Sequence, residues 1–160
     1  MHLVEKKLKI MYDAQIIAPI RYSNWVSNLV PTRKKPEEIR LCVDFRNLNK
    51  VSLKDSYPLP KLDHILKRVV RSSRISLLDG FSGYNHILVQ PEDQAKTTFT
   101  SPWGTFMYVK MPFGLMNAGE TFQRAMDIAF AKEIHDFLVI YLDDITLFSK
   151  IDNEHLDHLR

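Results

Sequence analysis

The chain has a single cysteine, Cys42, which excludes an internal disulfide and any cysteine-rich zinc site. Cys42 sits between Leu41 and Val43, and is expected to be a small core residue. No apolar run approaches the roughly 20 residues of a membrane span. The lysine-bearing N-terminus has no apolar signal core, so no membrane partner is expected. There are five glycines and neither internal repeats nor a low-complexity linker. The six histidines show no zinc-like clustering: His155 and His158 are three apart, in a polar tail. At 160 residues, 45% apolar and 26% charged, the chain can bury a core and is at most one ordinary domain or a piece of a larger one.

Net charge is only +3, but it is unevenly spread. Residues 1–80 hold 16 Lys and Arg against 8 Asp and Glu, and residues 81–160 hold 6 against 11. A basic half beside an acidic half suits a protein that grips a polyanion with one part and cations with the other. Ordinary surface charge explains the asymmetry equally well.

Hydrophobic spacing predicts a helix over 3–13, with Val4, Leu8 and Met11 on one face. Two strands follow, over 25–31 and 39–45, joined by the basic loop Arg33-Lys34-Lys35-Pro36-Glu37-Glu38. Pro58 and Pro60 introduce a helix with Leu62, Ile65, Leu66, Val69 and Val70 at helical spacing. Residues 75–78 read as a strand ending at Asp79, after which Gly80 and Gly83 break regularity. Short strands are expected over 86–90, 97–100 and 106–111, with a turn at Ser101-Pro102-Trp103-Gly104. A helix over 117–131 carries Ala118, Phe122, Ala125, Met126, Ala129 and Phe130 along one side. The pattern predicts an α+β fold, helices packed on one face of an antiparallel sheet and the other face open to a substrate.

The most informative residues are Tyr141-Leu142-Asp143-Asp144. Two adjacent carboxylates lie between the apolar runs 137–141 and 145–148. Carboxylates held between core strands are costly unless something positive neutralises them. Acidic pairs also occur at Glu37-Glu38 and Glu92-Asp93, but in polar, Pro-flanked segments. Asp79 ends another apolar strand, where it could equally be a plain turn residue. If these strands are neighbours, Asp79, Asp143 and Asp144 converge at one sheet edge. Such a set attracts hard cations such as Mg²⁺, and two such ions can clamp a phosphoryl transfer.

Ser76-Leu77-Leu78-Asp79-Gly80-Phe81-Ser82-Gly83-Tyr84-Asn85, Met111-Pro112-Phe113-Gly114-Leu115-Met116-Asn117-Ala118 and Tyr141-Leu142-Asp143-Asp144 resemble successive polymerase motifs of reverse transcriptases. Arg40 to Lys50 resembles the strand and turn that precede them. The similarity is greatest to LTR retrotransposons of the gypsy type, plant elements in particular, and runs from about residue 3 to the end. It implies a right-hand polymerase with residues 1–75 mainly fingers and 76–160 palm, truncated after the double-Asp hairpin, with the thumb absent. It also implies that Asp79, Asp143, Asp144 and the Gly80 carbonyl hold two Mg²⁺ ions, or Mn²⁺ in their place. Arg40 would contact the incoming triphosphate, assisted by Arg33 or Lys34. Tyr84 would lie under the sugar and reject a 2′-hydroxyl, with Phe113 and Gly114 beside the nucleotide. Without the resemblance, Tyr84 reads as core and Arg33-Lys34-Lys35 as a solvated hairpin tip. Arg46 is expected to support the fingers through Asp44.

The implied activity is RNA-directed DNA polymerisation: transfer of dNTPs onto a primer 3′-hydroxyl. The implied partners are an RNA or DNA template with its primer, dNTPs, and the thumb, RNase H and integrase of a polyprotein. Two departures from the family pattern stand out. Glu120 replaces a small residue, and Arg71-Ser72-Ser73-Arg74 replaces a glycine-containing stretch. As a truncated palm, the isolated chain would expose apolar surface and lack processive activity. A non-catalytic nucleic-acid-binding remnant and, more weakly, a metal-dependent nuclease are the alternatives.

Overall fold

The computed structural model describes residues 2–35, 38–79, 83–134 and 136–159, without the side chains of Lys34, Lys35, Glu38 and Asp79. The chain forms two compact units whose segments alternate along the sequence. One comprises 1–54 with 84–118; the other comprises 55–83 with 119–160.

The first unit opens with helix α1 (His2–Asp13), on which Leu8 is buried with Val4 and Met11 packed beside it, the face expected from spacing. Strands β1 (Ile17–Pro19), β2 (Ser27–Lys35) and β3 (Glu38–Val43) follow, then helix α2 (Arg46–Val51). After the second unit's first segment come a 3₁₀ turn (Gly83–His86, all but its first residue), the one-turn helix α4 (Pro91–Gln94), β5 (Phe99–Ser101) and β6 (Gly104–Tyr108). The sheet order is β1-β6-β5-β2-β3. Its core gathers Leu8, Ile17, Val43, Phe45, Leu48, Phe99 and Tyr108.

The first unit departs from expectation in several ways. The β2–β5 pairing is parallel, Ser27 opposite Phe99 and Asn28 opposite Thr100, so this sheet is mixed. The basic run read as a loop is largely strand, because β2 continues to Lys35 with an irregularity between Arg33 and Lys35. Residues 86–90 are not a strand. Only Leu88 bridges to Lys110, and Pro91, which cannot donate to a ladder, starts α4 instead. Thr97 and Thr98 turn their hydroxyls onto the Gln94 and Ala95 carbonyls, which delays β5 to Phe99. Cys42 is exposed and not in the core: it shares the outward face of β3 with Arg40, while Leu41 and Val43 face inward.

The second unit contains α3 (Leu62–Val69), β4 (Arg74–Asp79), α5 (Ala118–Ala129, all but its first residue), β7 (Leu138–Tyr141), β8 (Asp144–Ser149) and the short α6 (His155–His158). Its antiparallel sheet runs β4-β8-β7. Leu138, Ile140 and Leu147 form the core, with Met126, Phe130, Ile134, Phe137 and Ile145 packed on it. Helix α3 forms as its spacing predicts, but its apolar stripe is not buried, and Leu62, Leu66 and Val70 stand exposed. The tail is not simply polar either. The buried His155 ring bridges Ser76 Oγ (2.8 Å) and Ser149 Oγ (2.9 Å), and His158 Nδ1 meets the same Ser149 hydroxyl at 2.8 Å. His158 also stacks on Phe137 with ring centroids 4.1 Å apart. The two histidines are cross-links within the unit.

Candidate active site

The double-Asp hairpin is built as tightly as a hairpin can be. β7 ends at Tyr141, β8 begins at Asp144, and the two residues pair, leaving Leu142 and Asp143 as the whole turn. Leu142 has φ 55°, the left-handed region that costs a side-chain-bearing residue about 1–2 kcal/mol. Such a conformation persists only when its surroundings over-determine it, and α5 does so at two points. The Leu142 side chain lies against Gly119, where an added Cβ would press to 3.2 Å from Cδ2. Gln123, fully buried, grips the backbone: its Oε1 accepts from Leu142 N at 2.9 Å and its Nε2 donates to the Ile140 carbonyl at 3.2 Å. Sequence reasoning missed Gln123. The available signal was one amide beside the apolar side of α5, four residues before Asp127.

Asp143 is half-buried and Asp144 exposed, and among the described residues neither carboxylate has a hydrogen-bond or ion-pair partner. In the adjoining ladder, Asp79 pairs directly with Asp144, at the same end of the sheet. The predicted strand neighbours are therefore real, and the three acidic positions lie together along the backbone. The Asp79 carboxylate and all of Gly80 fall outside the described residues. Among the described residues no three His, Cys, Asp or Glu side chains form a metal-sized group. As a donor set, two adjacent carboxylates, unpaired among the described residues and opposite a third acidic position, suit a hard, oxygen-preferring cation.

The remaining predicted site residues lie in the first unit. Tyr84 is buried, with its ring 4.5 Å from that of Phe113 at a 50° tilt, and Phe113 is 61% exposed. Gly114 has φ 95°, while a Cβ there would make only ordinary contacts with Phe45 and Val43, so conformation and not space demands glycine. The turn is fixed by Asn49, whose Nδ2 donates to the Gly114 carbonyl and whose Oδ1 accepts from Met116 N, both at 2.8 Å. Arg40 and Arg33 are both exposed. Thr32 pairs with Arg40 and Arg33 with Ile39, so the two arginines leave the β2–β3 ribbon on opposite faces. The Lys34 side chain lies outside the described residues.

Arg46 meets Asp44 as expected, with Nε at 2.8 Å from Oδ1 and Nη2 at 2.6 Å from Oδ2. The guanidinium bonds hold the Asp44 carboxyl down at about 2. Glu120 lies in the first turn of α5, where a carboxylate complements the helix dipole.

A family model described as reverse transcriptase (RNA-dependent DNA polymerase) matches residues 32–160. An RNA-directed DNA polymerase homolog of Oenothera berteroana is 38% identical over 125 residues, covering 76% of this chain and 88% of that one. The retrovirus-related Pol polyprotein from transposon 297 of Drosophila melanogaster is 32% identical over 161 residues, 98% of this chain but only 15% of the polyprotein. Among solved structures, the foamy viral protease-reverse transcriptase in complex with double-stranded DNA superposes with a TM-score of 0.86 at 20% identity, covering 98% of this chain and 27% of that one.

Proposed function

The chain belongs to the reverse transcriptase (RNA-dependent DNA polymerase) family and has its fingers-palm α+β fold, and we propose that it is the fingers-palm part of an RNA-directed DNA polymerase from a gypsy-type, plant-like LTR retrotransposon. Residues 1–75 are then mainly fingers and 76–160 palm. The proposed partners are a primed RNA or DNA template, dNTPs, and a polyprotein's thumb, RNase H and integrase. The observation that carries the reading is the hairpin: two adjacent carboxylates, partnerless among the described residues, one on the two-residue turn and the other opening β8, with Asp144 in register with Asp79.

Asp79, the Gly80 carbonyl, Asp143 and Asp144 would hold two divalent cations, Mg²⁺ or Mn²⁺, which supply activation of the primer hydroxyl and charge neutralisation at the phosphates. The protein's own share is positioning and electrostatics. Arg40 can fork two hydrogen bonds onto triphosphate oxygens. Of its two possible assistants, Arg33 leaves the ribbon on the face opposite Arg40, which leaves position 34. Lys34→Ala is therefore expected to raise the KM for dNTP about tenfold and Arg33→Ala to leave it within about twofold. The reverse order would reassign the role. Phe113 offers an exposed aromatic ring suited to a nucleotide sugar, with the buried Tyr84 packed against it, and Gly114, the next residue, has the positive φ that calls for glycine.

The test is primer extension on an RNA template, run beside template binding and template degradation. Addition of a single templated dNMP, dependent on divalent metal, is the expected result. Binding without addition would leave only a nucleic-acid-binding remnant, and degradation would mark a nuclease.

A further inference from the structure

Gln123 holds the Asp143-bearing turn, but a carboxamide can face either way. Reversed, its NH₂ would face the Leu142 N–H and its oxygen the Ile140 carbonyl. The group that makes this unfavourable from a third direction is Asp127, one helical turn along α5. Its Oδ1 accepts from Gln123 Nε2 at 3.0 Å, a charge-assisted bond that only the NH₂ end can make. Asp127 is itself oriented from outside the helix, because Tyr57 Oη donates to its second oxygen at 2.7 Å. Tyr57 comes from an irregular segment 70 residues upstream, and it is pinned there. Its backbone N–H donates to Asp55 Oδ1 at 3.0 Å, and the Arg124 guanidinium lies 4.5 Å over its ring. Arg124 Nη2 also contacts both Asp55 oxygens, at 2.9 and 2.7 Å. An unbroken set of contacts therefore runs from Asp55 to Leu142 within the second unit.

We propose that Tyr57 and Asp127 are positioning residues for the double-Asp turn, acting through the amide of Gln123. The left-handed Leu142 needs an external hold. Among the described residues, its backbone is held by the hydrogen bond from Leu142 N to Gln123, whose orientation Asp127 and Tyr57 secure. The phenol suits this role, because donation to the Asp127 carboxylate, more than burial, raises its pKa, so it remains a donor above the ordinary tyrosine range. The segment before α3 thereby contributes to the catalytic edge without approaching it. The consequence for catalysis rests on the polymerase reading; the consequence for the turn does not.

Tyr57→Phe removes the hydroxyl alone and keeps the ring under Arg124. In the 160-residue chain, amide hydrogen exchange at Leu142 should quicken about tenfold in Tyr57→Phe and at least as much in Asp127→Ala, while Thr146 and Leu147 in β8 keep their protection. Asp127→Asn should restore protection. Its carbonyl can still accept from Gln123 while the Tyr57 hydroxyl rotates to accept from the new amide. Single-nucleotide incorporation should fall about tenfold in kcat in Tyr57→Phe, with the KM for dNTP unchanged. Unaltered exchange at Leu142 would overturn the proposal. So would equal loss of protection throughout β7 and β8, which would make Tyr57 a general stabiliser, or loosened exchange with unchanged kcat. Absence of incorporation by the unsubstituted chain would remove the polymerase reading, with the exchange data still deciding whether the turn is held in this way.

Discussion

Asp143→Asn should lower single-nucleotide incorporation by about 10³-fold or more while leaving the melting temperature unchanged or slightly raised. The separation of the two effects follows from the site. The Asp143 carboxylate has no partner among the described residues, so an isosteric amide breaks no bond that holds the hairpin. It also removes like-charge repulsion from Asp144, the next residue, which opens β8. A folding role would have to be visible as a hydrogen bond or ion pair, and the bonds that hold this turn run through Gln123 to backbone atoms instead. What the substitution removes is a hard oxygen charge where a divalent cation would sit. Several kcal/mol of transition-state stabilisation lost there corresponds to that fall in rate. A second readout does not depend on turnover. Titration with Mn²⁺ should broaden the amide signals of 142–144 in the natural chain and leave them sharp in Asp143→Asn. Incorporation within about tenfold of the natural chain, with broadening retained, would take Asp143 out of the metal site.

The hairpin itself was legible because its information is local. Two apolar runs flanking a polar pair leave little choice of structure, and β7 and β8 begin and end within one residue of those runs. α1 was legible for the same reason, with Val4, Leu8 and Met11 on its inner face. The parallel pairing of β2 with β5 was not, because Ser27 and Phe99 are brought together by the fold and by nothing in their immediate sequence. Cys42 was misplaced by reading an apolar run as uniformly buried, when β3 alternates and only Leu41 and Val43 face inward. α3 shows the opposite limit: helical periodicity located the helix but could not say that Leu62 and Leu66 would remain exposed. Gln123 was illegible in kind. A glutamine on a helix ordinarily reads as solvated surface, and its function depends on meeting the backbone of residues 17 and 19 positions away. The acids that would carry the chemistry could be read from composition; the groups that hold them in place could not.

Sugar selection is the sharpest remaining expectation, and the burial of Tyr84 changes how it must be read. Tyr84 is 6% exposed and packs against Phe113, so Tyr84→Val opens a cavity and should lower the melting temperature whichever role the ring has. Stability therefore cannot distinguish a core residue from one that screens the sugar; only the ratio of rNTP to dNTP incorporation efficiency can. If one face of the ring packs inside the unit and its edge borders the sugar, shortening it to valine makes room for a 2′-hydroxyl. The ratio should then rise about 100-fold, the scale on which a snug pocket discriminates one small group, while dNTP use persists. Phe113 supplies the control. It is 61% exposed, so Phe113→Ala should cost little stability but remove the neighbour that sets the tilt of the Tyr84 ring. A smaller rise in the same ratio, without the fall in melting temperature, is expected. Unchanged ratios in both variants would return Tyr84 to the core and leave the chain without a sugar gate at this position.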